Sequence, residues 1–408
     1  MAAIRPFRAL RPAPGAAPRV AAVPYDVVST DEARALADGN PLSFLRVTRS
    51  EIDLPRETDP YAPQVYAQAL ANFERIKREA PLVFEDEPSL YFYRLRMGRH
   101  EQVGLAAAYS LDEYDRDLIK KHERTRRDKE DDRTRHMSEL RAQTGVVFLT
   151  YRASAAVDGV ATSVMTAAPL YDFKAPDGVT HTIWKAGGAE SRSLVEAFGR
   201  IPALYIADGH HRAASAARAR DVLGRRQGER GPLRPSDSFL AVAFPDNQVQ
   251  ILPYNRVVND LADLTPDAFL AKLRERFTVT DGPPTPKKKG ETAMYLAGRW
   301  YTIGIGAAAA GADRIGSLDV SILQQHILDS LLGIKDVRTD KRIDFVGGAR
   351  GTVELEQRVN DGKAAVAFSL HPVTVEDLMA IADAGGIMPP KSTWFEPKLR
   401  DGLLAHLI

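Results

Sequence analysis

Apolar and polar positions along the chain switch between two periods, and the switches mark its elements. Residues 61–79 repeat apolar side chains at helical spacing, which predicts a helix there. Leu90–Leu95 and Val103–Ala108 alternate or run apolar, as adjacent strands do. Further strands are predicted at Val20–Val23, Gly145–Tyr151, Ile201–Ile206, Phe239–Phe244, Trp300–Ile305 and Ala364–Leu370. Val249–Leu252 is read as returning against Phe239–Phe244 in a hairpin across Pro245-Asp-Asn247. Helices are predicted over Asp31–Ala37, Leu318–Leu332 and Val375–Ala384. Ser29 and Glu32 have the spacing of a capping box at the first, and Gly385-Gly386 closes the last. Strands interleaved with helices throughout give an α/β (mixed α+β) class, with mixed sheets and flanking helices.

One stretch breaks the pattern. From Lys120 through His136 there are seventeen consecutive residues without an apolar side chain. Ten basic and eight acidic residues fall between Asp115 and Arg141, which describes a salt-bridged, solvated helix. Within it, Glu123 is surrounded by Lys120, Lys121, Arg124, Arg126 and Arg127. Those cations favour its ionised form, so it can accept a proton or hold a magnesium ion near phosphate.

Composition narrows the class of function. The chain has 408 residues, 44% hydrophobic and 27% charged, as ordinary globular proteins do. Lys+Arg 55 against Asp+Glu 54 leaves a net charge of +1, which argues against a broad grip on nucleic acid. With no cysteine, disulfides, thiolate metal sites and cysteine nucleophiles are excluded. No apolar run approaches the roughly 20 residues of a membrane span, and the N-terminus lacks a signal-peptide core. A cytoplasmic, soluble protein is expected.

The sharpest local signal is Asp208-Gly-His-His-Arg212. It follows the strand-like Ile201–Ile206 and precedes the alanine-rich Ala213–Arg218. Strand, glycine turn and helix in that order leave backbone N–H groups at the positive end of the helix dipole. Two imidazoles and a guanidinium add donors, so a phosphate suits the site. Zinc and a plain polar surface remain alternatives at this level. A metal-dependent hydrolase would use His122, His210 and His211. Three other signals are weaker. Gly304–Gly311 is glycine-rich but lacks the P-loop ending. His181 beside Trp184 reads as a packed aromatic cluster. Asp281–Gly290 has the composition of a linker or solvated loop tip.

Six ordered stretches together resemble the bacterial and archaeal family called domain of unknown function 1015. They are Ile4–Phe7, Pro24–Val27, Asn40–Arg46, Ile119–Glu123, Asp208–Arg212 and Met388–Thr393. The resemblance runs from end to end as one family-wide unit, with sub-units at 1–110, 111–280 and 291–408. The middle of the chain is also similar to the ParB/sulfiredoxin superfamily, whose free-serine kinases carry an Asp-Gly-His-His-Arg turn and a glutamate base. The resemblance implies a nucleotide-binding core with insertions, since about 56 residues separate Tyr151 from the turn.

By that resemblance the chain is an ATP-dependent kinase turning free L-serine into O-phosphoserine. Gly209, His210, His211 and Arg212 hold the phosphates, with Asp208, Glu123 and His211 as the catalytic set. Glu123 is the base, and Asp208 binds Mg²⁺ or orients the acceptor. Arg46, Lys391 and Ser392 are candidates for the acceptor's carboxylate. The alternative is a non-catalytic ATP- or CTP-binding regulator of ParB type. No nucleic-acid or membrane partner is expected, and a homodimer is allowed.

Overall fold

The computed structural model describes residues 2–224, 233–306 and 310–408. The chain divides into two units, Met1–Val249 with Pro397–Ile408, and Gln250–Glu396. The first unit is built on a mixed nine-stranded sheet. Its strands are β1 (Ile4–Arg5), β2 (Tyr91–Met97), β3 (His100–Ser110), β4 (Ile119–Lys120), β5 (Val147–Tyr151), β6 (Tyr171–Lys174), β7 (Thr180–Lys185), β8 (Leu204–Asp208) and β9 (Ser238–Pro245). They lie in the order β4-β8-β5-β9-β3-β2-β7-β6, with β1 pairing β3. The β4–β8 and β5–β9 pairs are parallel and the rest antiparallel, so the expected mixed α/β architecture is the observed one. A continuous apolar run makes β9 a central strand, buried along its whole length between β5 and β3. β3 pairs with β9 along Leu105–Ser110, so strands before and after residue 110 share one sheet.

Helices α1 (Thr30–Ala37), α2 (Pro63–Glu79), α3 (Arg127–Leu140) and α4 (His210–Val222) belong to this unit. The capping box at Ser29 is present in both directions: Glu32 N–H donates to Ser29 Oγ at 3.2 Å and Ser29 N–H to the Glu32 carboxylate at 2.8 Å. The charged run forms a helix solvated on one face only, where Arg127, Asp128, Asp131, Arg135 and Glu139 are exposed. α3 packs against α2 and α4 and buries Asp132, Thr134 and His136. Polar burial is tolerated because each group has a partner. Asp132 accepts from Tyr66 Oη at 2.8 Å and Arg133 Nε at 2.7 Å, and His136 Nε2 meets the Val47 carbonyl at 2.9 Å. From α4, Ser215 donates to the Glu130 carbonyl at 3.2 Å, and Arg218 pairs with Glu130 and Asp131.

The second unit carries a six-stranded antiparallel sheet. Its strands are Thr278–Asp281, Arg299–Gly304, Glu291–Leu296, Val366–Leu370, Tyr254–Val258 and Ile343–Gly347, in that order across the sheet. Residues 282–290 are a loop within this sheet, and Asp281 ends the strand before it. Gly304–Gly311 lies partly outside the described residues. Two expectations need correcting. Gln250–Leu252 pairs with Trp394–Glu396 and not with β9, so there is no hairpin across Pro245. Val20 ends a helical turn, Ala17–Val20, and Ala22 makes only an isolated bridge to Asp401. The predicted helix at Leu318–Leu332 is α-helical over Asp319–Leu323 and π-helical over Gln324–Asp329. His181 sits in the expected aromatic packing, stacked on Phe173 and bonded to Tyr93 Oη at 2.8 Å.

Candidate functional site

The Asp208–Arg212 turn joins β8 to α4. Gly209 is the N-cap, with φ +97°, a conformation costly for any residue with a side chain. A Cβ there would also stand 3.1 Å from Arg212 Cζ and Nε. No side chain caps this helix, and its first turn holds no acidic residue. An uncapped helix start of this kind keeps its dipole and its leading N–H groups available to an anion.

Arg212 lies beneath the turn rather than in it, only 2% exposed. Its guanidinium donates to the Val146 carbonyl, and at 3.3 Å to both Asp26 Oδ2 and Asp208 Oδ2. Burial works against its charge, but Asp26 and then Asp208 outweigh burial and raise its pKa further. Asp208 also accepts from Lys398 Nζ at 3.2 Å. Burial pushes that carboxyl up, yet Lys398 and Arg212 together hold it well below the usual carboxylate range. Asp401, 1% exposed, is close enough to Arg212 to feel its charge and accepts the Val146 N–H through Oδ1 at 3.4 Å. Its Oδ2 has no partner, and burial pushes the carboxyl up to about 7, with Arg212 offsetting only part of it.

Glu123 arrives from the segment between β4 and α3. Its Oε2 lies 3.8 Å from His210 Nδ1, and 43% of its side chain is exposed. His210 is buried, and its Nε2 accepts from the backbone N–H of His122 at 3.4 Å. His211 Nε2 accepts from the backbone N–H of Arg126 at 3.0 Å. The His122 ring meets His210 edge-on, with centroids 4.4 Å apart. Burial drives His122 down to about 4, with Asp208 opposing, and burial followed by the His122 ring drives His210 well below its ordinary value. Both rings are therefore neutral at physiological pH.

The structure thus brings together Glu123, Asp208, Gly209, His210, His211 and Arg212. Arg46 is engaged elsewhere, pairing with Asp53 and donating to the Asn40 and Ala37 carbonyls at 3.1 and 2.9 Å. Lys391 and Ser392 belong to the second unit. There the Lys391 carbonyl accepts from the buried Arg256 at 2.9 Å, and the Ser392 hydroxyl donates to the Pro389 carbonyl. Asp26, Lys398 and Asp401 are site neighbours that the sequence reading did not single out. Asp26 stands in the Pro24–Val27 stretch, and Lys398 just past Met388–Thr393. Among the described residues no group of three His, Cys, Asp or Glu side chains is close enough to hold a metal ion. No described helix is long and apolar enough to cross a membrane.

Comparison with known proteins gives one family match. The model described as "Protein of unknown function (DUF1015)" matches residues 4–321. No curated protein matches the chain. Among solved structures, a C-terminally truncated SbnI from Staphylococcus aureus is 12% identical at TM-score 0.39, covering 74% of this chain and 87% of that one. A free serine kinase in complex with AMP is 14% identical at TM-score 0.35, covering 72% and 86%. A conserved hypothetical protein from Pyrococcus furiosus is 15% identical at TM-score 0.35, covering 74% and 95%.

Proposed function

The chain belongs to the DUF1015 family, and on that premise we propose that it is an ATP-dependent kinase of a small hydroxylated metabolite, with free L-serine as the acceptor. The observation that carries the reading is the meeting of a partly exposed carboxylate, Glu123, with an uncapped helix start beside Asp208. Phosphoryl transfer asks for a cradle, charge neutralisation and a base more than for covalent chemistry. Here the backbone at Gly209–His211 and the dipole of α4 are the cradle. Arg212, buried and doubly paired, holds Asp208 and the turn in place.

Glu123 takes the hydroxyl proton as the acceptor oxygen bonds to the terminal phosphorus and the bond to ADP breaks. Asp208 already answers two cations, and among the described residues no group of three ligating side chains surrounds it, so the residues present do not form a protein-held magnesium site. Magnesium would come with the polyphosphate itself, and would there offset part of the phosphate charge. Because Arg46 is committed to Asp53 and two carbonyls, we assign the acceptor's carboxylate no contact with it.

The test is to incubate the protein with ATP, Mg²⁺ and a panel of hydroxylated metabolites, following ADP and phosphorylated product. Serine-dependent ADP formation is expected, and Glu123→Gln should lower it by about 10²–10⁴-fold while nucleotide still binds. Wild-type turnover in that variant removes Glu123 from the role of base. Nucleotide binding with no turnover on any acceptor points instead to the regulatory reading.

A further inference from the structure

Two histidines at a helix start beside a glycine turn suggest side-chain grips on phosphate, but their hydrogen bonds point another way. His210 Nε2 and His211 Nε2 both accept from backbone N–H groups, those of His122 at 3.4 Å and Arg126 at 3.0 Å. These two donors stand at either end of the short segment that contains Glu123. Between β4 and α3, residues 121–125 belong to no helix or ladder, and Arg126 is the N-cap of α3. Fixing such a segment costs conformational entropy that something must offset.

We infer that His210 and His211 are positioning residues, which fasten the 122–126 segment at both ends to the start of α4 and so set Glu123 over the phosphate cradle. The polyphosphate is then held by backbone N–H groups and not by the imidazoles. This inference rests on the reading of Glu123 as the base. An imidazole that accepts at Nε2 is neutral and carries its proton on Nδ1. In His210 that nitrogen is the one 3.8 Å from Glu123 Oε2, so the fastening ring also directs an N–H toward the carboxylate.

His122 supplies an independent observation. Its ring is 2% exposed, and neither of its nitrogens has a hydrogen-bond partner. The Ile206 carbonyl is near enough to bias the ring's protonation but not in bonding geometry. Burying an imidazole without partners is unfavourable in itself. Lying edge-on against His210, the ring packs on that side chain and limits the orientations open to it. His122 thus serves the latch twice, by its N–H and by its ring.

His211→Ala and His211→Gln test the idea, because a glutamine carbonyl can replace Nε2 as acceptor while removing the imidazole. Three quantities are read: amide hydrogen exchange across residues 122–126, ATP dissociation constant, and serine-dependent kcat with KM for ATP. The Leu240 amide in β9 serves as the internal reference for global folding. His211→Ala should speed exchange at Arg126 about tenfold and lower kcat by a similar factor. ATP affinity and KM should stay within about twofold, and His211→Gln should restore both exchange and kcat. Should exchange at Leu240 accelerate too in the alanine variant, the glutamine variant decides alone: wild-type protection at Arg126 supports the latch, and its loss overturns it.

Unchanged exchange at Arg126 in His211→Ala, with ATP affinity down about tenfold, would return the imidazole to phosphate binding. If the wild-type protein turns over no acceptor, the kinase reading fails. The exchange measurement still decides whether the histidines hold the segment.

Discussion

Asp401→Asn is expected to stabilise the protein, and more strongly at higher pH. The folded state holds the Asp401 proton up to about pH 7, whereas an ordinary aspartate ionises near 3.8. Between those values the folded state binds more protons than the unfolded chain. Its stability contribution is therefore complete below 3.8 and lost as pH rises through 7. At about 1.4 kcal/mol for each tenfold change in proton affinity, the loss reaches about 4 kcal/mol by pH 8.

Asparagine mimics the protonated acid, and its carbonyl can keep the Val146 N–H. Its amide nitrogen would take the place of the partnerless Oδ2, which returns up to about 2 kcal/mol. A net gain of about 2–4 kcal/mol is expected at pH 8, and a gain about 1 kcal/mol smaller at pH 6. Denaturant unfolding of both proteins at the two pH values measures it. Destabilisation at pH 8 would refute the reasoning, because it would mean that Asp401 is ionised and gains from Arg212 more than burial takes away.

Gly209→Ala should cost about 2–4 kcal/mol, combining a positive-φ penalty with displacement of the buried Arg212 guanidinium, and should weaken nucleotide binding at least tenfold. Denaturant melts and calorimetric titration with ATP check the two parts, and an alanine variant of normal stability would contradict the packing argument. Acid should destabilise the protein steeply. Burial holds His122, His136 and His406 down to about 4 and His181 to about 3, so between pH 6.5 and 4 the unfolded chain binds protons that the folded one refuses. Each contributes up to about 1.4 kcal/mol of loss per pH unit, and four together outweigh the opposite trend of Asp401. A stability that stayed flat from pH 7 to 5 would show that these rings acquire protons without unfolding.

Elements whose register depends on neighbouring residues were legible in the sequence. The Ser29–Glu32 box, the helical spacing of 61–79 and the apolar run of Phe239–Phe244 each carry their own local cause. Local patterning was a poor guide where distant partners decide. Gln250–Leu252 alternates like a hairpin arm, yet its ladder partner is Trp394–Glu396, more than a hundred residues on. The charged run of 120–136 looks solvated because sequence cannot display Tyr66, the Val47 carbonyl or Ser215, the groups that satisfy its buried face.

By itself, the sequence determined the mixed α/β class, the strand–turn–helix geometry of Asp208–Arg212, and the family. Each of these is written in contiguous residues, through periodicity, a glycine that tolerates φ +97°, or ordered motifs. Only the tertiary structure decided what the turn's side chains do. It placed Asp26 and Lys398, 186 and 190 positions from their partners, around Arg212 and Asp208, and turned both histidine rings toward the segment of Glu123. The physical reason is that charge pairing and imidazole hydrogen bonding act over a few ångströms of space, whatever the length of chain between the groups.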